Sequence, residues 1–124
     1  MEFVPSVPIY LQVLEHIKYE IVTAKLKQGQ KLPSVRELAL EYCINPNTAS
    51  RVYRMLEEEG ISFTKRGMGT IVTEDAEMLK KLKQQIANNL AKNYLSGMAR
   101  IGSSIADAIN LLKEFEKQNK EENL

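Results

Sequence analysis

The sequence is poor in the residues that catalysis and cofactor binding usually need. It has no tryptophan, one histidine (His16) and one cysteine (Cys43) among 124 residues. One cysteine permits no internal disulfide and fits a reducing compartment. The lone histidine has no second ligand to support a metal site. Since no nucleophile, base and clustered carboxylates can be grouped, we expect neither an enzyme nor a bound cofactor.

Long apolar runs and a large net charge are also missing. No segment reaches the roughly 20 apolar residues that a membrane helix requires. Residues 1–5 lack the charged and then apolar pattern of a secretory signal. We therefore expect a cytoplasmic protein with no membrane partner. The formal net charge is only +1, so a nucleic-acid surface has to come from local placement of charge.

Helix signals are abundant in the first half of the chain. From 8 to about 24, ending near Ala24, apolar residues recur on one stripe, which predicts a first helix. Ser34 and Glu37 form a capping box, so a second helix starts at Ser34. Arg36 lies in its first turn, where the helix dipole repels it unless an anion is nearby. We interpret Arg36 as a phosphate ligand, with a surface pair to a neighbouring glutamate as the alternative.

A third helix follows within a few residues. Asn45 is a preferred N-cap, and Pro46 suits the first helical position. Cys43, in the connection, is expected to be a small packed side chain. Two short helices joined this tightly predict a helix-turn-helix. The third helix has one apolar face, formed by Ala49, Val52, Tyr53 and Leu56.

The opposite face of the third helix is polar and basic. It carries Asn47, Ser50, Arg51 and Arg54 at helical spacing, with Thr48 beside them in the first turn. Hydroxyl, amide and guanidinium groups are the chemistry that reads phosphates and base edges. An ordinary solvated surface is the alternative for this helix taken alone.

A basic hairpin is predicted next. Two short β-rich runs, residues 61–64 and 70–73, flank a glycine-containing turn with Lys65, Arg66 and Gly67. A basic hairpin directly after a helix-turn-helix is typical of a wing that lies along a phosphate backbone or in a minor groove. A turn kept polar for solubility is the alternative.

The composition changes after residue 74. Apolar residues at helical spacing predict a long helix ending near Gly102, and Ser104 and Asp107 cap a last helix. The apolar side of the last helix comprises Ile105, Ala108, Ile109, Leu112 and Phe115. Residues 116–124 are polar and expected to fray. Two such helices cannot bury their own apolar faces, so we expect pairing with a second copy. Packing on the N-terminal domain and binding to a membrane surface are the alternatives.

Five motifs together resemble the GntR family of bacterial transcription regulators. They are Pro8-Ile9-Tyr10-Leu11-Gln12, Leu32-Pro33-Ser34-Val35-Arg36-Glu37-Leu38-Ala39, Asn45-Pro46-Asn47-Thr48, Tyr53-x-x-Leu56-Glu57-x-x-Gly60 and Arg66-Gly67-x-Gly69-Thr70. The order and spacing match from about Pro8 to Val72. The short two-helix tail is similar to that of the YtrA subfamily, whose tails serve chiefly for dimerisation.

The resemblance implies a winged helix-turn-helix that binds a pseudo-palindromic operator in double-stranded DNA as a homodimer, usually as a repressor. It implies DNA contacts for Arg36, for Asn47, Thr48, Ser50 and Arg51, and for Gly67 beside Lys65 and Arg66. Two residues depart from the family pattern. Cys43 stands where many relatives have glycine, so a left-handed turn there is strained. Pro46 replaces a basic DNA-contacting residue of some relatives.

We therefore predict a mainly α protein with a small β-hairpin. A winged helix-turn-helix DNA-binding domain covers residues 1–74, and a two-helix dimerisation tail covers residues 75–124. A winged-helix protein-interaction module is the rival hypothesis, favoured by the near-neutral net charge and by the acidic run 57–59. The tail lacks the bulk of a ligand-binding domain. A small effector at the dimer interface stays open, with no residue set to hold it.

Overall fold

The computed structural model describes residues 1–122 of the chain. The first of two units, Met1–Lys83, holds α1 (Ile9–Val22), α2 (Val35–Tyr42), α3 (Pro46–Glu58), β1 (Ser62–Lys65) and β2 (Gly69–Val72). The second unit begins at Gln84 and contains α5 (Ile105–Glu122). α4 (Ala76–Arg100) contributes residues 76–83 to the first unit and its remainder to the second. The mainly α fold with one hairpin is confirmed.

α1 ends two residues earlier than predicted. The last helical residue is Val22, and the hydroxyl of Thr23 donates a 2.7 Å hydrogen bond to the carbonyl oxygen of Tyr19. Side-chain bonding of this kind competes with the helix ladder. Ala24 then takes a left-handed conformation with φ 61° and is exposed. It therefore leaves the apolar stripe on which the sequence pattern placed it.

The core of the first unit lies where α3 packs against α1, α2 and β1. Its largest fully buried side chains are Leu38, Leu56, Ile61, Val13, Val52 and Val72. The predicted apolar face of α3 is buried throughout, at Ala49, Val52, Tyr53 and Leu56. Since this face is covered, the opposite face of α3 is turned outward.

Local hydrogen bonds define the helix-turn-helix as predicted. The Glu37 N–H donates to Ser34 Oγ and the Ser34 N–H donates to Glu37 Oε1, both at 3.1 Å. At α3, the Asn47 N–H donates to Asn45 Oδ1 at 2.8 Å. The expectation of a packed Cys43 is wrong. Cys43 is left-handed, with φ 54° and ψ 48°, and it is exposed, with its thiol 3.8 Å from the Leu40 carbonyl oxygen.

The hairpin has a third partner that the sequence pattern missed. β1 and β2 pair antiparallel, with Lys65 opposite Gly69 at the tip. On the other edge of β2, the Leu32 N–H donates to the Thr70 carbonyl at 2.8 Å, and Lys31 forms a bridge with Ile71. The segment before α2 is thereby hydrogen-bonded to the hairpin. The wing is therefore connected to the helix-turn-helix at both β1 and β2.

The second unit brings α4 and α5 together through Tyr94, whose hydroxyl donates to the Ala108 carbonyl at 2.8 Å. At the start of α5 the Ser104 N–H donates to Asp107 Oδ2 and the Asp107 N–H donates to Ser104 Oγ. These bonds cap the helix and hold the pKa of Asp107 below its usual range. α5 continues to Glu122, so residues 116–122 of the tail expected to fray are helical; residues 123 and 124 of that tail lie outside the described residues. Among the helices described, none is long and apolar enough to cross a membrane.

Candidate nucleic-acid interface

The outward face of α3 carries the side chains predicted to contact DNA. Asn47, Ser50, Arg51 and Arg54 are all exposed, and Thr48 is half-buried at the edge of the same face. Residues spaced by three, four and seven positions lie on one side of a helix. Hydroxyl, amide and guanidinium groups therefore line one continuous strip that begins at the N-terminus of α3.

The predicted cations of this surface have no carboxylate partner in the part of the chain that the structure describes. Within residues 1–122, no carboxylate oxygen lies within 4.0 Å of the terminal nitrogens of Arg36, Arg51, Arg54, Lys65 or Arg66. The alternative for Arg36, a pair with a neighbouring glutamate, is not formed in the described part of the chain. The Glu37 carboxylate instead accepts the Ser34 N–H, and these bonds with Ser34 lower the pKa of Glu37. The basic side chains are thus available to an external anion.

The first turn of α2 offers donors beside Arg36. Arg36 is exposed at the second position of the helix. The backbone N–H groups of Val35 and Arg36 make no hydrogen bond to another group of residues 1–122. Free N–H groups and the helix dipole favour a negative charge at this position. A guanidinium in the same turn adds a bidentate donor for phosphate.

The wing tip is open and basic. Lys65, Arg66 and Gly67 are exposed, and the Met68 N–H closes the turn with a 2.9 Å bond to the Lys65 carbonyl. Gly67 has φ 83°, a conformation that suits glycine, and a Cβ added to it has no neighbour within 4 Å. Space around the tip is therefore free for a close approach to another molecule.

The acidic end of α3 has structural partners. Glu57 accepts the N–H and the hydroxyl of Thr64 in β1 at 3.3 and 3.5 Å. The Glu59 carboxylate pairs with Lys18 Nζ at 2.9 Å. Two of the three acids thus attach the end of α3 to the wing and to α1. Glu57 thereby holds β1 at Thr64, the residue next to Lys65 of the basic tip.

Two residues near this surface escaped sequence reasoning. The guanidinium carbon of Arg51 lies 3.7 Å from the centroid of the Tyr10 ring. Tyr10 belongs to the apolar stripe of α1, and such a stripe predicts a side chain packed in the core rather than one in contact with Arg51. Lys31 is exposed beside β2, and its Cε is 3.5 Å from where a Cβ on Gly69 would lie. No local motif marks Lys31, because its pairing with β2 is a long-range contact.

The chain is similar in sequence to known bacterial transcription regulators. Residues 9–72 match the family described as bacterial regulatory proteins, gntR family. Over 99 residues the chain is 38% identical to the HTH-type transcriptional repressor YtrA of Bacillus subtilis (strain 168), covering 75% of this chain and 76% of YtrA. The match to YtrA therefore extends past the winged helix-turn-helix.

Solved structures agree in fold. A GntR family transcriptional regulator from Listeria monocytogenes superposes with a TM-score of 0.84 and 41% identity, covering 90% of this chain and 98% of the other. The DNA-binding domain of AraR, in complex with operator ORR3, superposes with a TM-score of 0.52 and 30% identity. That likeness covers 59% of this chain and 86% of the AraR chain.

Proposed function

Because the chain belongs to the GntR family of bacterial regulatory proteins, we propose that it represses transcription by binding a pseudo-palindromic operator as a homodimer. The chain is a transcriptional regulator with a DNA-binding domain. Beyond this, we propose that the operator is pseudo-palindromic, that two copies of the protein bind it, and that binding represses transcription. YtrA, a repressor, and the AraR domain on its operator support it by analogy.

The observation that carries the proposal is a set of cations around the outward face of α3 that form no salt bridge within residues 1–122. Arg51 and Arg54 project from α3, Arg36 from the first turn of α2, and Lys65 and Arg66 from the wing. Each cationic side chain that contacts a phosphate releases counterions from the DNA, so binding becomes stronger as the salt concentration is lowered. Local charge thus supplies what the net charge of +1 does not.

The side chains divide by chemistry into two roles. Arg51 and Asn47 read base edges in the major groove, since guanidinium and amide groups bond guanine and adenine in bidentate fashion. Arg36, Thr48 and Lys65 hold phosphates and set the register. The remaining contacts, from Ser50, Arg54, Arg66 and the Gly67 backbone, support this register on either side.

We place the homodimer interface in the C-terminal tail. Four large apolar side chains of α5 are between 46% and 65% exposed: Ile105, Ile109, Leu112 and Phe115. Ile101, directly after α4, is 75% exposed. Exposure of four large apolar side chains on one helix marks an interface. A two-fold pair of copies covers the same face on both and matches two inverted half-sites about one helical turn apart.

Selection from a random pool of duplexes tests the proposal directly. We expect enrichment of two inverted half-sites and saturation at two protomers per duplex. The logarithm of the binding constant should fall linearly with the logarithm of salt concentration. Lys65→Ala removes a lysine of the wing and should weaken binding, whereas Lys92→Ala removes a lysine of the second unit and serves as its charge-matched control. Binding without sequence preference, or no binding at all, would favour the protein-interaction module. Repression itself is measured by placing the selected duplex at a reporter promoter.

A further inference from the structure

Arg51 is held against an aromatic ring of another helix. Its guanidinium carbon is 3.7 Å from the ring centroid of Tyr10, in the first turn of α1. Carbon atoms in van der Waals contact lie about 3.5–4.0 Å apart. Because the guanidinium carbon is the centre of a planar group, an edge-on approach at this distance would press its nitrogens into the ring, so the guanidinium meets the ring by its flat face. The side chain of Arg51 therefore has a partner although it is exposed.

Stacking leaves the binding edge of a guanidinium free. The five N–H donors of arginine lie in the plane of the group, whereas the attraction to an aromatic ring uses its face. No hydrogen bond to another group of residues 1–122 engages the Arg51 guanidinium. Arg51 is thus restrained by Tyr10 without losing the donors that recognise guanine.

Restraint before binding has a physical consequence. A flexible side chain loses rotamer freedom when it docks, and a side chain already held in place loses less. The buried residues of α1 are Val13, Leu14, Ile17 and Ile21, so the core of α1 is formed by other positions. Tyr10 is only half-buried, and the side chain stacked on it belongs to the predicted readout face.

We propose that Tyr10 is a positioning residue for sequence readout: its ring pre-orients the Arg51 guanidinium toward base edges in the major groove. The proposal rests on the proposed function, because it requires an operator that Arg51 reads. It assigns a role in specificity to α1, a helix that carries none of the predicted DNA contacts.

A double-mutant cycle on selected and scrambled duplexes tests this role. The measured quantity is the dissociation constant for the scrambled duplex divided by that for the selected duplex, at one salt concentration. We expect Tyr10→Leu to lower this ratio about two- to fivefold, the range of an exposed cation–π contact. Tyr10→Phe keeps the ring and should keep the ratio. In an Arg51→Ala background, Tyr10→Leu should have no further effect. An equal loss in both backgrounds overturns the proposal.

A readout without DNA separates the stack from binding. The ring current of Tyr10 should move the side-chain NMR resonances of Arg51 upfield in the unsubstituted protein and in Tyr10→Phe. Tyr10→Leu, with Tyr10→Met as a second variant if the first does not fold, should abolish that shift. If Tyr10→Phe reduces sequence preference as much as Tyr10→Leu does, the hydroxyl and not the ring sets that preference, and the positioning role is overturned.

The two proposals fail in different ways. No sequence preference in the unsubstituted protein overturns the proposed function and the role of Tyr10 together. A clear preference that Tyr10→Leu leaves unchanged overturns only the role of Tyr10.

Discussion

The hydroxyl of Tyr53 donates a 2.6 Å hydrogen bond to the carbonyl oxygen of Pro33. The bond joins the buried face of α3 to the residue immediately before Ser34, the N-cap of α2. Arg36 lies two residues past that cap. The position of a predicted phosphate ligand on α2 is therefore tied to the helix predicted to read the bases.

Removing the Tyr53 hydroxyl tests whether its hydrogen bond to Pro33 stabilises the protein. We expect Tyr53→Phe to lower the free energy of unfolding by about 1 kcal/mol, because a half-buried carbonyl loses its donor. The measurement is urea denaturation at pH 7. Tyr19→Phe, which removes a hydroxyl near the surface, is the control and should cost about 0.5 kcal/mol or less. Equal losses for the two variants would contradict a specific role for the Tyr53 bond.

Stability should fall at alkaline pH. Burial raises the pKa of Tyr53 and of Tyr42 above the ordinary value of 10.0. Above pH 10 the unfolded chain loses these protons while the folded chain keeps them, so the unfolded state binds fewer protons. The stabilisation is complete below pH 10 and is lost as the pH rises toward the folded pKa values. Denaturation midpoints between pH 8 and about pH 11.5 should fall less steeply for Tyr53→Phe.

Cys43→Gly should stabilise the protein. A non-glycine residue in the left-handed region costs about 1–2 kcal/mol, and Cys43 has φ 54°. Glycine offsets part of this gain through its greater freedom in the unfolded chain, by about 0.4–1 kcal/mol. We expect a net gain of roughly 0.5–1 kcal/mol in the free energy of unfolding. Cys43→Ala keeps the Cβ and should give no gain; a gain as large as that of glycine would assign the effect to the thiol.

Arg51→Ala and Lys65→Ala should weaken DNA binding in different ways. Loss of a bidentate contact to guanine costs about 1–3 kcal/mol of discrimination between selected and scrambled duplexes. Loss of a phosphate contact by Lys65 should weaken binding to both duplexes and reduce the slope of the salt dependence by about 0.9. Anisotropy titrations at several salt concentrations measure both effects. If the two variants behave alike, the division of roles is wrong.

Leu112→Glu should convert the protein to a monomer. Leu112 is 53% exposed within the chain, and a carboxylate placed in an apolar interface is costly to bury. Sedimentation at micromolar concentration should show a dimer for the unsubstituted chain and a monomer for this variant. Asn110→Glu places the same charge about 160° around α5 from Leu112 and should leave the dimer intact. Dissociation by both variants would move the interface away from the predicted face.

Local chemistry explains which features sequence reasoning predicted correctly. A capping box needs only Ser34 and Glu37, three residues apart, and an N-cap needs only Asn45 and its neighbours. The apolar face of α3 follows from the helical period alone. Errors arose where the backbone turns out of a helix: Ala24 and Cys43 both take a positive φ, and both are exposed where the sequence pattern predicted packing.

The sequence by itself determined the order of the elements, the two faces of α3 and the glycine-containing basic turn of the hairpin. Each follows from the conformational preferences of a few adjacent residues. Only the tertiary structure decided which distant groups meet. Tyr10 reaches Arg51, Tyr53 reaches Pro33, and Lys31 joins β2 because α1, α2 and the hairpin pack around α3. Packing depends on the sum of many side-chain shapes across the core, and no short motif contains it.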